Sequence, residues 1–159
     1  MSEPSETSEP TSSESTDAAA REQAQAWLDA AVLPPGAVPS DVSVGRFDSW
    51  TGWPCGPVED LEAFWTIPGA TVHETANWLM EHPTADLVTT AIGPVSDDPA
   101  ITSAIVGYIP APDAQEGIVY TVAKIHDGVA VRAEIAAQTE SAACPSLPNG
   151  ATYGAPGQG

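Results

Sequence analysis

Basic side chains are almost missing from this sequence. Arg21, Arg46, Lys124 and Arg132 stand against 22 acidic residues, for a formal net charge of -18. The acidic N-terminus does not account for the imbalance. Residues 1–17 hold five acids, and 17 more face the same four bases in the remainder. Nucleic acid and anionic membrane surfaces are repelled at long range by such a chain, which excludes both as partners. The same charge also keeps an exported protein soluble. Long apolar runs are absent as well: nothing approaches the ~20 residues of a membrane span. A charged-then-apolar leader is likewise missing from residues 1–30, so a signal peptide is expected to have been removed.

Cysteine is scarce: only Cys55 and Cys144 occur. Neither lies in a CxxC or Cys/His spacing, which argues against zinc. Neither shows the adjacent base or helix start that activates a catalytic thiol. Both sit in Pro-rich, irregular contexts, Trp53-Pro54-Cys55-Gly56-Pro57 and Ala143-Cys144-Pro145. An even count flanking a domain suits one disulfide and an oxidising compartment, and two buried free thiols are the alternative.

Catalytic signatures are missing too. The sequence has no G-x-S-x-G elbow, no helical S-x-x-K, no HExxH and no glycine-rich phosphate loop. His73 and His82 stand at opposite ends of one helix, about 13 Å apart, too far to share a metal. The acid pairs Glu59-Asp60 and Asp97-Asp98 are neighbours in sequence, which does not set two carboxylates across a cleft. The expectation is therefore no catalytic residue, no metal and no cofactor.

What is present divides into three parts. Residues 1–17 contain no aliphatic or aromatic side chain after Met1 and read as a disordered Ser/Glu/Thr/Pro tether. Residues 18–145 read as a single α+β domain, and residues 146–159 as a flexible Pro/Gly-rich tail. Within the domain, Thr16 or Asp17 caps a helix over 18–33, with Trp27 and Leu28 facing the core. Pro39 to Pro57 reads as an irregular connection, Val42 and Val44 offering at most a short strand. Leu61–Ile67 alternates with a period of two and is a strand. Thr71 and Glu74 then form a T-x-x-E capping box at the start of a helix that Pro83 stops near His82. Strands follow at 87–92, 101–109, 118–125 and 129–137. Asp127-Gly128 reads as the type I′ turn of the last hairpin. Val129, Val131, Ala133, Ile135 and Ala137 face one way and Arg132 and Glu134 the other, the pattern of a sheet with one buried face. These elements predict an antiparallel sheet of four to five strands, with two helices packed on one face, in the order α-β-α-β-β-β-β.

The segments Leu33-Pro-Pro-Gly-Ala-Val38, Phe64-Trp-Thr-Ile-Pro-Gly69, Asn77-Trp78-Leu79, His82-Pro83 and Val129-Ala-Val-Arg-Ala-Glu134 resemble a group of uncharacterised actinobacterial exported proteins and lipoproteins. The resemblance covers roughly residues 24–136. It implies a cell-surface protein anchored to the outer face of the cytoplasmic membrane through an N-terminal anchor outside this chain, and it implies no chemistry. Trp53-Pro54-Cys55 and the cysteine-bearing tail depart from the family pattern, so the disulfide does not carry over from it.

The most suggestive binding residues are Asp48, Trp50 and Trp53, within Phe47-Asp-Ser-Trp-Thr-Gly-Trp53. Tryptophans in an irregular loop stack on a sugar or a partner side chain, or else plug a core. The plug is the favoured expectation, with Trp53 buried against the disulfide and Trp50 the more exposed. The function expected is a non-catalytic binding module of the cell envelope, its partner another envelope protein or a glycan. The alternative is a glycan-processing hydrolase whose site is not recognisable in sequence.

Overall fold

The computed structural model describes residues 12–157. Helix α1 spans Ser12–Asp29, strand β1 Val38–Ser40, β2 Gly56–Pro68, helix α2 Val72–Glu81, and strands β3 to β6 Val88–Thr89, Ser103–Ile109, Gly117–Ile125 and Gly128–Ala143. The fold is α+β, with all six strands in one antiparallel sheet of order β1-β2-β6-β5-β4-β3. The sixth strand is β1, which pairs Val38–Ser40 with Thr66–Phe64 inside the stretch expected to be irregular. Pro39 sits in that edge strand, where its missing N–H costs no ladder bond.

Both helices pack on the expected face. Ala20, Ala24 and Trp27 of α1 and Val72, Ala76 and Leu79 of α2 bury against Val129, Val131, Ala133, Ile135 and Ala137 of β6. The capping box of α2 is formed, with Thr71 Oγ1 accepting from the Glu74 amide and the Glu74 carboxylate accepting from the Thr71 amide. At the other end His82 Nδ1 donates to the Trp78 carbonyl at 2.7 Å, and the imidazole stacks on the indole. Burial beneath the helices holds two phenols: Tyr108 donates to the Leu79 carbonyl, and Tyr120 meets the Thr84 hydroxyl at 2.5 Å.

Several boundaries differ from the sequence reading. Helix α1 begins at Ser12 rather than 18 and ends at Asp29 rather than 33; Pro34 and Pro35 have no N–H to carry its ladder on to the carbonyls of residues 30 and 31. Of the expected tether, residues 1–11 lie outside the described residues and 12–17 open this helix. Val42–Val44 forms a 3-10 turn, not a strand. Residues 87–92 pair only at Val88–Thr89. The last hairpin turns through His126-Asp127, since Ile125 pairs with Gly128. Neither turn residue has positive φ, so the turn is not type I′. Gly128 serves close approach instead: a Cβ there would collide with the Ile67 carbonyl and sit 2.9 Å from the Gly69 amide.

The two long central strands outrun the reading for one reason. β2 and β6 pair from Pro68/Gly128 to Gly56/Ala143. Immediately beyond that end, Cys55 and Cys144 form a disulfide with their Cα atoms 4.1 Å apart. The crosslink pins the open end of the longest ladder.

The larger correction concerns the other face of the sheet. It is covered as well, so Arg132 is wholly buried and Glu134 nearly so. One cover is the segment from Gly45 to Pro54. Gly45 crosses so closely that a Cβ would stand 2.7 Å from Ala130 Cβ, and Phe47 rests 5.9 Å from Phe64. The second cover is the described part of the tail expected to be flexible. Thr90 Oγ1 donates to the Pro156 carbonyl at 2.8 Å, Gln115 Nε2 to Gly154 O at 2.9 Å and Tyr153 OH to Pro145 O at 2.6 Å. Among the described residues, no helix is long and apolar enough to cross a membrane.

Candidate functional site: the tryptophan loop over Arg132 and Glu134

Arg132 and Glu134 are two residues apart on β6, so they share the face turned away from the helices. Cross-strand register sets Thr121 of β5 beside Arg132 on one side and Phe64 of β2 on the other. Arg132 Nη2 lies 3.0 Å from Glu134 Oε1, donates to Thr121 Oγ1 at 3.1 Å, and donates to the Ser49 carbonyl. Glu134 in turn accepts from the Thr51 amide at 3.2 and 3.3 Å and from the Thr51 hydroxyl at 2.9 Å. The ion pair thus grips the loop on both sides of Trp50. Ser49 is held by the guanidinium and Thr51 by the carboxylate.

The Trp50 ring lies 4.0 Å from the guanidinium carbon and the Phe47 ring 5.0 Å from it. Cation–π attraction of this kind is stronger where water is excluded. Among the described residues Arg132 Nε and Nη1 find no hydrogen-bond acceptor, so the aromatic cover stands where solvent otherwise would. Burial pulls the Arg132 pKa below its ordinary value, while Glu134 and then Glu62 push it back up. A guanidinium nevertheless keeps its charge at neutral pH.

Although its neighbours are fixed, Trp50 is 58% exposed. Trp53 is half-buried, and neither ring joins the hydrophobic core. The expectation that these residues plug the core is therefore corrected, since the core lies under the helices on the opposite face of the sheet, while Trp50 is the more exposed of the two as expected. Gly52, at φ +57, supplies the left-handed residue that turns the chain between the two indoles. Asp48 is not brought into the cleft. Its carboxylate pairs with Arg46 at 3.5 Å, both side chains being almost fully exposed.

Two depressions flank the loop. A cavity of about 320 Å³ lies between it and the tail, lined by Trp50, Trp53, Thr121, Gln115, Tyr153 and Pro156 among others. On the other side a groove of about 470 Å³ runs over β2, bounded by Trp50, Trp53, Val58, Asp60 and Glu62. Volumes of this size accommodate small ligands or one or two side chains of a partner.

The histidines stay apart from this face. His73 Nδ1 lies 3.4 Å from Asp97 and 3.2 Å from Thr71 Oγ1 at the head of α2. Both contacts use one ring nitrogen, which is not the relay of a catalytic triad, where the two nitrogens face different partners. Among the described residues, no group of three His, Cys, Asp or Glu side chains gathers to hold a metal.

Compared with protein-family models, curated proteins and solved structures, the chain matches none of them significantly.

Sequence reasoning singled out Trp50 and Trp53 but missed Arg132 and Glu134, the pair that organises them. A signal was available. Seven of the nine residues from Val129 to Ala137 are apolar, more than a strand with one wet face carries, and Phe47, Trp50, Trp53 and Tyr153 needed a surface to rest on.

Proposed function

We propose that the chain is the exported module of a membrane-tethered actinobacterial cell-envelope protein, and that it acts by binding an envelope protein or glycan without transforming it. One observation carries the reading. Trp50 is exposed, yet its two neighbours are clamped by a buried ion pair and its ring rests on the guanidinium. An exposed aromatic held in a single position loses little conformational entropy when a partner covers it, which is how binding surfaces gain affinity. Arg132 and Glu134, the buried pair on which the loop rests, are committed to each other and to the loop. That arrangement supports recognition rather than proton transfer. The disulfide fits an oxidising, extracellular setting. The N-terminal Ser/Glu/Thr/Pro composition suits a spacer between domain and membrane.

The test is co-sedimentation of the purified domain with actinobacterial cell envelopes, comparing the parent with Trp50→Ala and Trp53→Ala. Trp50→Ala is expected to lower stability by about 1 kcal/mol or less, as at other exposed sites, and to remove most retention. Retention that survives both substitutions refutes this site. Turnover of envelope glycan by the parent protein refutes the non-catalytic reading.

A further inference from the structure

Resting on that reading, we propose that the groove between Trp50, Trp53 and the Asp60–Glu62 stretch of β2 receives an arginine side chain from a basic, extended segment of a partner protein. Three observations converge on this occupant.

The first is a local surplus of negative charge. Glu62 stands directly opposite Glu134 in the β2–β6 register, and Asp60 follows on the same face. Like charges opposed across two strands destabilise the pair. Arg132 neutralises one of the three carboxylates. The protein has no other arginine to offer, since Arg21 is engaged by Glu59 and Arg46 by Asp48. Among the described residues, neither Asp60 nor Glu62 has an ion-pair partner.

The second is aromatic surface beside those carboxylates. Trp50 and Trp53 both border the groove, and Trp50 already holds one guanidinium at 4.0 Å while more than half its surface remains open. Arginine fits such a place better than lysine: its planar, weakly hydrated head stacks on an indole while its edge donates two parallel hydrogen bonds to a carboxylate.

The third is the long-range field. A net charge of -18 on 159 residues draws a basic segment toward the protein and repels acidic competitors. A neutral glycan gains nothing from that field or from the bare carboxylates. The charge therefore selects a cationic partner over a sugar for this groove.

The experiment titrates the folded, disulfide-intact protein with a ten-residue peptide carrying two arginines in a Gly/Ser background. It is repeated with each arginine replaced by lysine or by citrulline, the neutral isostere. Binding is followed through the indole N–H resonances and the tryptophan fluorescence. The arginine peptide is expected to bind at least about tenfold more tightly than the citrulline peptide. Affinity should fall between 50 and 300 mM salt, and by about tenfold in the Asp60→Asn/Glu62→Gln variant. Both positions are solvent-exposed, so that variant is expected to fold normally, and the citrulline comparison requires no variant. Equal binding of arginine and citrulline peptides overturns the proposal. So does indifference to the Asp60/Glu62 substitutions. If envelope retention still depends on Trp50 in either case, the binding-module reading stands and the arginine occupant alone is lost. If neither the peptide nor the envelope senses Trp50, both are refuted.

Discussion

Replacing Arg132 by methionine tests whether one buried ion pair holds the whole tryptophan loop in place. The guanidinium is wholly buried and makes a 3.0 Å contact with Glu134, hydrogen bonds to Thr121 and Ser49, and stacking contacts with Trp50 and Phe47. Methionine keeps the length and the apolar stem but supplies no donor. It leaves Glu134 charged, 8% exposed in its side chain, with only the Thr51 amide and hydroxyl to stabilise it. Stranding one member of a buried pair costs about 3–5 kcal/mol. In a domain of this size that corresponds to a fall in Tm on the order of 10 °C. Removing both charges, Arg132→Met with Glu134→Leu, eliminates the stranded carboxylate. The double variant should therefore cost about 2 kcal/mol less than the sum of the single changes. Urea denaturation at pH 7, followed by circular dichroism with the disulfide intact, supplies all four corners of the cycle. The loop should also loosen in Arg132→Met, seen as faster amide exchange across 47–53. A single variant within about 1 kcal/mol of the parent, with additive behaviour in the double, would refute the claim that this pair clamps the loop.

Three other outcomes follow from the structure. Cutting the Cys55–Cys144 crosslink, which closes a loop of 89 residues, should destabilise the domain by about 4–5 kcal/mol in the chain-entropy model. The same crosslink should block alkylation until reductant is added, and two thiols alkylated at once in the untreated protein would contradict it. At Gly107 a Cβ would meet the Pro156 carbonyl and stand 2.7 Å from Thr90 Oγ1, so Gly107→Ala should lift the tail. Faster proteolysis and amide exchange at 153–157 are expected, and unchanged rates would show that the tail does not need this crossing. Burial pushes the Tyr120 phenol from 10.0 up to about 12, a bond from Thr84 opposing it and Tyr108 adding to it. The fold thus favours the neutral phenol; its contribution is complete below pH 10 and lost as pH rises toward 12, about 3 kcal/mol in all. Thermal melts taken between pH 9 and 12 should fall steeply for the parent and less for Tyr120→Phe, while parallel curves would count against the assignment.

Local signals were legible where the chain's own chemistry settles the structure. The Thr71/Glu74 box specifies a helix start because its two hydrogen bonds are made within four residues. The period-two pattern of Val129 to Ala137 places five side chains under the helices because register and burial agree. The disulfide was suggested by two cysteines in Pro-rich turns, but its position capping the β2–β6 ladder was not, since that depends on how far the pairing extends. β1 was illegible for a similar reason. Three exposed residues, one of them proline, form a strand only because Phe64–Thr66 offer an unpaired edge.

The binding face was misread for a different reason. Arg132 and Glu134 alternate with apolar residues as a solvated strand face does; alternation by itself does not distinguish a wet charge from a buried pair, and only the apolar excess of residues 129–137 hints at the second. What distinguishes them is the cover, and the cover comes from two segments without regular pattern, 45–54 and 153–157. Such segments bury aromatic side chains only if their backbone finds hydrogen-bond partners. Here the partners are the charges themselves: Arg132 satisfies the Ser49 carbonyl and Glu134 the Thr51 amide. The buried ion pair is thus the means by which an irregular loop comes to rest on a sheet. The cost of burying it is offset by backbone groups that would otherwise lack partners beneath Trp50. A loop fixed this way keeps Trp50 at the surface and Trp53 half-covered, beside Asp60 and Glu62, which have no ion-pair partner among the described residues. Fold stability and the presentation of the groove therefore depend on the same two side chains. A variant of Arg132 or Glu134 that loses binding must be judged against its stability, whereas Trp50, Asp60 and Glu62 are all exposed, so their substitution is expected to disturb the fold far less than it disturbs recognition.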